Sequence, residues 1–178
     1  MNFRGVSLRP INREDCEIIF RWRNAPQVRE ASFNSEEISY DNHCNWFERQ
    51  LSGSGRTNLI FSLENVAAGV VYFEIDDMNG VADFGYYKDV YNFTQNIGLQ
   101  MEIIALDYAF NILALRKLTC KVLSNNRRVI KFHKEFGFEI EGCQRQQIAR
   151  DDSFLDVYFL ALFLDRWVQR RPCLEWMI

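Results

Sequence analysis

A glycine-containing turn before a long apolar segment is the feature that most constrains this chain. Residues 95–100 read Gln-Asn-Ile-Gly-Leu-Gln, and the amphipathic pattern beyond them predicts a helix from about Gly98 to Leu113. The first amides of a helix have no partner inside it, and the helix dipole adds positive charge at that end. Such a turn suits a pyrophosphate group. The predicted anion-binding residues are Gln95, Asn96, Ile97, Gly98, Leu99 and Gln100.

The remaining pattern predicts an α/β fold with a mixed sheet in a single domain, residues 1–178. About four helices are expected, at Asn12–Asn24, Ser39–Leu51, Gly98–Leu113 and Asn126–Phe136. About seven strands are expected, at Val6–Pro10, Asn58–Leu63, Ala67–Ile75, Val81–Tyr87, Lys117–Leu123, Phe138–Gln147 and Phe154–Leu162.

The helix between the fourth and fifth expected strands requires a parallel crossover connection. We expect these two strands, Val81–Tyr87 and Lys117–Leu123, to diverge at one end and to open a pocket there. Unpaired backbone groups at such a splay can bind an extended ligand arm as an added strand would.

Composition limits the partners of the chain. A net charge of −3 gives no electrostatic footprint for nucleic acid, and no apolar run reaches the ~20 residues of a membrane span. Five cysteines without a C-x-x-C pair, and only two histidines, argue against a metal site. No signal peptide is recognisable at the N-terminus, so we expect a cytoplasmic protein with reduced thiols.

The chain resembles the GCN5-related N-acetyltransferases (GNAT) over essentially its whole length. Gln95 to Gly98 keep the first four positions of that family's pyrophosphate loop, whereas Gln100 stands where a small residue is usual. The segment from Asn126 to Gly137-Phe138 matches the second family motif. The resemblance implies the GNAT fold and acetyl-CoA as co-substrate, with Asn126 facing the pantetheine amides and His133 approaching the thiol sulfur.

A narrower resemblance comes from residues 20–26, 38–43 and Trp46, with later agreement at residues 121–126, 129–133, 141–142 and 156–157. These segments are similar to the subgroup that acetylates the 4-amino group of UDP-4-amino-4,6-dideoxy-N-acetyl-β-L-altrosamine. That reaction belongs to pseudaminic acid synthesis for flagellin glycosylation. The implied partner is a small nucleotide sugar, and a homodimer remains compatible with the sequence.

Two residues are predicted to act in catalysis. His133 is the candidate acid for the leaving thiolate, since an imidazolium of pKa about 6.5 protonates a thiolate of pKa about 8.5 readily. The alternative is a surface histidine on an amphipathic helix. Tyr87 ends the central strand, where the acceptor would meet the thioester; otherwise it is a half-buried strand tyrosine. The general base stays open between Glu74 and Asp83.

Besides Tyr87, which is also a candidate for acceptor binding, four residues are predicted to bind the acceptor. Arg23 and His43 are candidates for the diphosphate or uracil end, because arginine offers a bidentate fork to phosphate. Phe33 and Trp46 offer aromatic faces for the base or sugar. The alternatives are a helix-terminal cation for Arg23, a solvent-facing helix residue for His43 and core packing for the aromatic rings.

Three functional hypotheses follow from the sequence. The first is N-acetylation of the UDP-linked amino sugar. The second is N-acetylation of protein N-terminal amines on the same architecture, for which Arg23 and His43 would be dispensable. The third is a catalytically silent acyl-CoA-binding module, which the unusual Gln100 favours.

Overall fold

Alternating apolar residues produce the strands, and these pair into one sheet. The computed structural model describes residues 2–3, 5–53, 55–93 and 97–177, with side chains over 5–53, 55–93 and 97–174. Within those ranges the strands are β1 Asn2–Phe3, β2 Val6–Pro10, β3 Arg56–Leu63, β4 Val66–Asp76, β5 Val81–Lys88, β6 Lys117–Leu123, β7 Glu139–Arg150 and β8 Ser153–Phe163. Their order in the sheet is β1-β2-β3-β4-β5-β6-β8-β7.

Strands β5 and β6 form the parallel pair in the sheet, and they separate as predicted. Val81, Ala82 and Asp83 pair with residues 117–119, and the strands have no register beyond that point. The other neighbouring strands pair antiparallel. Residues 84–88 remain paired with β4 on one side, but on the other side they face a gap where β6 would continue. The predicted fold class and splay are confirmed.

The described helices are α1 Cys16–Arg23, α2 Pro26–Glu30, α3 Tyr40–Leu51, α4 Gly98–Asp107, α5 Arg127–Glu135 and α6 Leu164–Arg170. Short 3-10 helices lie at Arg13–Asp15 and Arg171–Met177, and a π-helical turn at Tyr108–Ile112 extends α4. Helices α2 and α6 were not expected. Pro26 ends the first helix as predicted, but it also starts α2, because proline fits the first turn of a helix.

The local signals for helix starts and ends act as the sequence suggested. The Asn12 side chain accepts a hydrogen bond from the Glu14 amide at 2.9 Å, and the Ser39 hydroxyl accepts one from the Asn42 amide at 3.3 Å. Gly137 follows α5 with φ +101°, a conformation that glycine adopts without steric cost.

The two faces of the sheet carry different helices. On one face α1 and α3 pack a small cluster with Ile19, Trp22 and Phe47 against Ile60 and Val70. The larger core lies on the other face, between the sheet and α4 and α5. A residue's position along β4, β5 or β6 therefore decides which set of helices it meets. In the described ranges, no helix combines the length and the hydropathy needed to cross a bilayer, and no cluster of metal-ligating side chains was found.

Candidate active site

The splay between β5 and β6 opens into a cavity of about 1210 Å³ that reaches both faces of the sheet. Both predicted catalytic residues and all four predicted acceptor residues contribute to its wall, together with two of the predicted cofactor residues. These lining residues are Arg23, Phe33, His43, Trp46, Tyr87, Gly98, Asn126 and His133. Positions up to 110 residues apart in the chain thus meet at one opening.

The start of α4 presents main-chain amides at this cavity. Gly98 lines the cavity, and no described side chain caps the helix start at Ile97. The side chains of Ile97 and Leu99 pack into the core, so these residues offer only their backbone. The arrangement fits an anionic phosphate group. Gln95 and Asn96 lie outside the described residues.

Gln100 departs from the expected small residue, and its side-chain carbonyl oxygen is buried without a hydrogen-bond partner among the described residues. Gln100 is absent from the cavity wall. An unsatisfied buried oxygen costs about 1–3 kcal/mol unless a ligand or water supplies a donor.

Asn126 occupies the position just before α5, with its side chain accepting a 3.4 Å hydrogen bond from the Val129 amide. It also borders the cavity. The structure therefore places it as a helix cap whose amide NH₂ group remains available for a ligand carbonyl.

His133 is not a surface residue, although the helix pattern allowed that alternative. Its exposed fraction is 4%, and its Nδ1 lies 2.8 Å from Oε1 of Glu102, which is completely buried on α4. Glu102 was missed by the sequence analysis, because a glutamate inside an apolar helical run has no local signature. The one indication in the sequence was a charged residue within the apolar run of a predicted helix.

The Glu102 carboxylate sets the state of the His133 ring. Burial is the largest single influence and lowers the pKa of His133, but the Glu102 charge, the neighbouring Cys120 side chain and the hydrogen bond to Glu102 together outweigh it, and the pKa rises to about 10. The imidazole is therefore protonated at neutral pH, unlike the free side chain that the sequence analysis assumed. A cation at this position can hold a developing thiolate by a charge-assisted hydrogen bond.

Arg23 approaches the cavity from the end of α1. Its Nη2 donates to the Asn34 carbonyl at 3.0 Å, while its Nη1 is buried and has no partner in the described part of the chain. Burial lowers the pKa of the Arg23 guanidinium, although arginine stays charged. A buried donor without an acceptor is suited to an anionic ligand atom.

His43 differs from its expected exposure. It is 2% exposed, and its Nε2 donates a 2.8 Å hydrogen bond to the Cys16 carbonyl, which ties α3 to α1. The alternative of a solvent-facing residue is wrong. Burial lowers the pKa of His43. Its ring contacts Trp46 at 5.5 Å between centroids, so it supports an aromatic wall instead of offering a free nitrogen to phosphate.

Two tyrosines form the acceptor side of the splay. Tyr87 packs against the α1–α3 cluster, and burial raises the pKa of its hydroxyl. Tyr72, which the sequence analysis missed, lies across Gly85: a methyl group on Gly85 would collide with the Tyr72 hydroxyl. The Arg56 guanidinium covers the Tyr72 ring at 4.3 Å. The absence of a side chain at Gly85 thus makes room for the Tyr72 hydroxyl.

The two carboxylates considered as general bases are both paired. Glu74 forms an ion pair with Arg56, and Asp83 Oδ2 lies 3.0 Å from Lys121 Nζ. The pKa of Asp83 is raised by burial, which the Lys121 interaction opposes. The fold therefore increases the proton affinity of the Asp83 carboxylate.

The family model described as acetyltransferase (GNAT) domain matches residues 6–139. The chain belongs to this family and is an acetyl-CoA-dependent N-acetyltransferase, in accord with the fold, the splay and the free helix start. Its substrate is not identified by this match.

The chain is similar to acetyltransferases with different acceptors. It is 23% identical to the L-amino acid N-acetyltransferase AaaT of Escherichia coli (strain K12), over 88% of this chain and 96% of AaaT. It is 22% identical to the acetyltransferase PseH of Campylobacter jejuni subsp. jejuni serotype O:23/36 (strain 81-176), over 73% of this chain and 80% of PseH. Its fold superposes on spermidine N-acetyltransferase from Vibrio cholerae in complex with CoA and spermine, with TM-score 0.84, 20% identity, and coverage of 92% and 98%.

Proposed function

We propose that this enzyme transfers an acetyl group from acetyl-CoA to the primary amine of an anionic, nucleotide-linked amino sugar. UDP-4-amino-4,6-dideoxy-N-acetyl-β-L-altrosamine is the specific acceptor that the sequence resemblance suggests. The observation that carries this proposal is the buried Nη1 of Arg23 in the wall of the cavity, which has no hydrogen-bond partner among the described residues.

The charge of the cavity supports an anionic acceptor. The described lining includes five Lys and Arg side chains and two carboxylates, although the whole chain carries a net charge of −3. The cations are Arg23, Arg56, Lys88, Lys121 and Arg128, and the carboxylates are Glu74 and Asp83. Some of this positive charge suits the phosphates of acetyl-CoA, and Arg23 lies on the opposite, α1–α3 side.

The acceptor wall also has the shape expected for a ring-bearing ligand. Phe33 is 44% exposed and borders the cavity, as does Trp46. Exposed aromatic faces favour stacking on a sugar or a nucleobase. A linear aliphatic amine would gain less from them.

A polyamine is the competing acceptor, because the Vibrio cholerae structural neighbour is described with spermine. Binding a polycation requires carboxylates that are free to pair with it. Both described carboxylates in this cavity already have cationic partners. The pairing therefore favours the anionic acceptor.

In this proposal, acetyl transfer is accelerated by the positioning of the two substrates and by charged or polar groups around the reacting atoms. Acetyl-CoA supplies an activated thioester; the free amides at the start of α4 and the Asn126 amide fit its phosphate and pantetheine parts. Backbone N–H groups of residues 84–88 that point away from β4, into the splay, offer donors for the thioester carbonyl oxygen as it gains charge. His133 faces the sulfur, and the acceptor amine approaches from the Tyr72 and Tyr87 side.

A panel of acceptors tests the proposal. CoA release from acetyl-CoA is measured with the UDP-linked 4-amino sugar, spermidine, L-amino acids and N-terminal peptides. We expect kcat/KM to be highest for the nucleotide sugar. A preference for spermidine or a peptide would overturn the acceptor class, and binding of acetyl-CoA without turnover of any acceptor would support the silent module.

Substitution of Arg23 tests whether its guanidinium contacts the anionic group of the acceptor. Loss of one charge-assisted hydrogen bond is worth about 1.5–3 kcal/mol, so Arg23→Gln should raise the KM for the nucleotide sugar roughly 10- to 10²-fold. Calorimetry should show the same affinity for acetyl-CoA. Arg21→Gln, which changes an exposed arginine on the same helix, is the matched control. An unchanged acceptor KM in Arg23→Gln would place the anion elsewhere.

A further inference from the structure

Glu102 is a buried carboxylate that the acceptor and cofactor contacts described above leave unexplained. It is 0% exposed, one oxygen contacts His133 Nδ1 at 2.8 Å, and the other has no hydrogen-bond partner among the described residues. Burying a charge is costly, and two apolar side chains would fill the same space without that cost. His133 forms part of the cavity wall, and Glu102 lies behind it.

Aromatic rings enclose the histidine and keep water away from it. The centroid of the His133 ring lies 5.0 Å from that of Phe138, 5.8 Å from Phe84, 6.2 Å from Phe132 and 6.4 Å from Tyr86. Electrostatic interactions are stronger in a site of low dielectric constant. Glu102 consequently acts on the ring with little screening.

Three titratable groups face His133 from the elements packed against it. These are Glu102 on α4, Tyr86 on β5 and Cys120 on β6. Burial raises the pKa of Tyr86 and of Cys120, so both are neutral at pH 7. Of these three groups Glu102 makes the 2.8 Å contact with the His133 ring, and the Cys120 thiol also interacts with that ring.

We propose that Glu102 is a positioning residue that holds His133 as a permanent imidazolium in the cavity wall, beside the position of the thioester sulfur. The inference rests on the proposed acetyl transfer. As the amine nitrogen bonds to the acetyl carbon, the C–S bond breaks and its electron pair leaves on sulfur. The imidazolium holds that thiolate by charge without giving up its proton, and the amine proton leaves to solvent.

This role differs from that of a proton-donating acid. A histidine that donates its proton would become neutral beside a buried carboxylate, which the Glu102 charge disfavours. The wild-type kcat should therefore show no loss attributable to His133 between about pH 6.5 and 9.

The test combines NMR titration of the imidazole with the pH profile of kcat. The chain has two histidines, so His43 provides the internal reference signal. In wild type the His133 resonances should stay in the imidazolium form through pH 9. In Glu102→Gln, burial without a counter-charge should move the midpoint below about 6.5. At pH 8 kcat should then fall roughly 10²- to 10³-fold, as for loss of one transition-state donor.

The pH dependence separates this role from structural support. The loss in Glu102→Gln should shrink as the pH is lowered and the imidazole regains its proton, and Glu102→Asp should restore part of the activity at pH 8. Acetyl-CoA affinity should change little. Asp107→Asn, which removes another buried carboxylate of α4 paired with Arg171, should leave the pH profile of kcat unaltered.

Two results would overturn the proposal. One is a loss of kcat in Glu102→Gln that is equal at every pH. The other is a wild-type His133 that titrates near neutrality, a measurement that needs neither a folded variant nor an acceptor. If wild type shows no acetyl transfer but His133 stays protonated at every pH tested, the proposed function is refuted. The ion pair is then still established.

Discussion

Lys121 Nζ lies 3.0 Å from Asp83 Oδ2, at the point where strands β5 and β6 separate. Both side chains line the cavity. The pair neutralises a carboxylate that would otherwise attract a cationic acceptor. Since β5 and β6 are distant in sequence, no local pattern indicates this contact.

Removing the lysine should change the acceptor preference. Lys121→Gln leaves the Asp83 charge unpaired at the splay, so kcat/KM for spermidine should rise about tenfold, equivalent to about 1.4 kcal/mol. The kcat/KM for an anionic nucleotide sugar should fall. Lys117→Gln, which breaks the exposed ion pair with Glu141, is the control and should change neither value. An unaltered preference in Lys121→Gln would mean that the pair does not select the acceptor.

Asn126 has two roles that substitutions can separate. Asn126→Ala removes the cap of α5 and should lower the free energy of unfolding by about 1 kcal/mol. It should also weaken acetyl-CoA binding. Asn126→Ser keeps a capping oxygen but lacks the amide NH₂ group, so urea denaturation should show near wild-type stability while calorimetry shows weaker binding. Equal binding by Asn126→Ser and wild type would leave Asn126 as a cap alone.

The Glu102–His133 pair makes stability depend on pH in a defined direction. The folded-state pKa of about 10 for His133 lies above its unfolded value of about 6.5. The protonated ring therefore stabilises the fold fully below about pH 6.5, and this contribution declines as the pH rises and is lost through about pH 10.

Urea denaturation from pH 6 to 10.5 measures that decline. The reference is the double variant Glu102→Gln/His133→Gln, which removes both titrating groups. The unfolding free energy of wild type minus that of this variant should decrease as the pH rises. A difference that is constant with pH would show that the pair does not titrate as described. Glu102→Gln alone is expected to be less stable than wild type, because the buried imidazole loses its partner.

Gly85 supplies space that a larger residue would remove. In Gly85→Ala the new methyl group would collide with the hydroxyl and ring of Tyr72, so the ring must move from its place beside Arg56. We expect turnover to fall at least tenfold while acetyl-CoA still binds. Combining Gly85→Ala with Tyr72→Val should reduce the collision, and a double-mutant cycle on stability should show coupling of at least ~0.5 kcal/mol. Additive effects would contradict the contact.

Much of the sheet was predictable because its signals are local. Period-two apolar runs placed strands β2 to β8 within a few residues, and Asn12, Ser39 and Gly137 marked helix ends by their hydrogen-bonding or conformational properties. The short helix α2 was missed, because Pro26 alone does not reveal whether a helix continues beyond it. Helix α6 follows β8 without a break at Phe163, so no turn residue separates the two elements.

The candidate site was predicted in outline only. The spacing of the motif residues identified His133 and Asn126 as candidates, but it could not distinguish a surface histidine from a buried one. Glu102 is separated from His133 by 31 positions, and their 2.8 Å contact forms only when α4 and α5 pack on the same face of the sheet.

The sequence by itself determined strands β2 to β8, the four longer helices and their order, because propensity, capping and alternation act between neighbouring residues. The tertiary structure alone decided the charge state of His133, the pairing of Asp83 with Lys121 and the burial of the Arg23 Nη1. Each of these depends on the distance between groups from different elements and on their removal from water, and electrostatic energies are set by those two quantities.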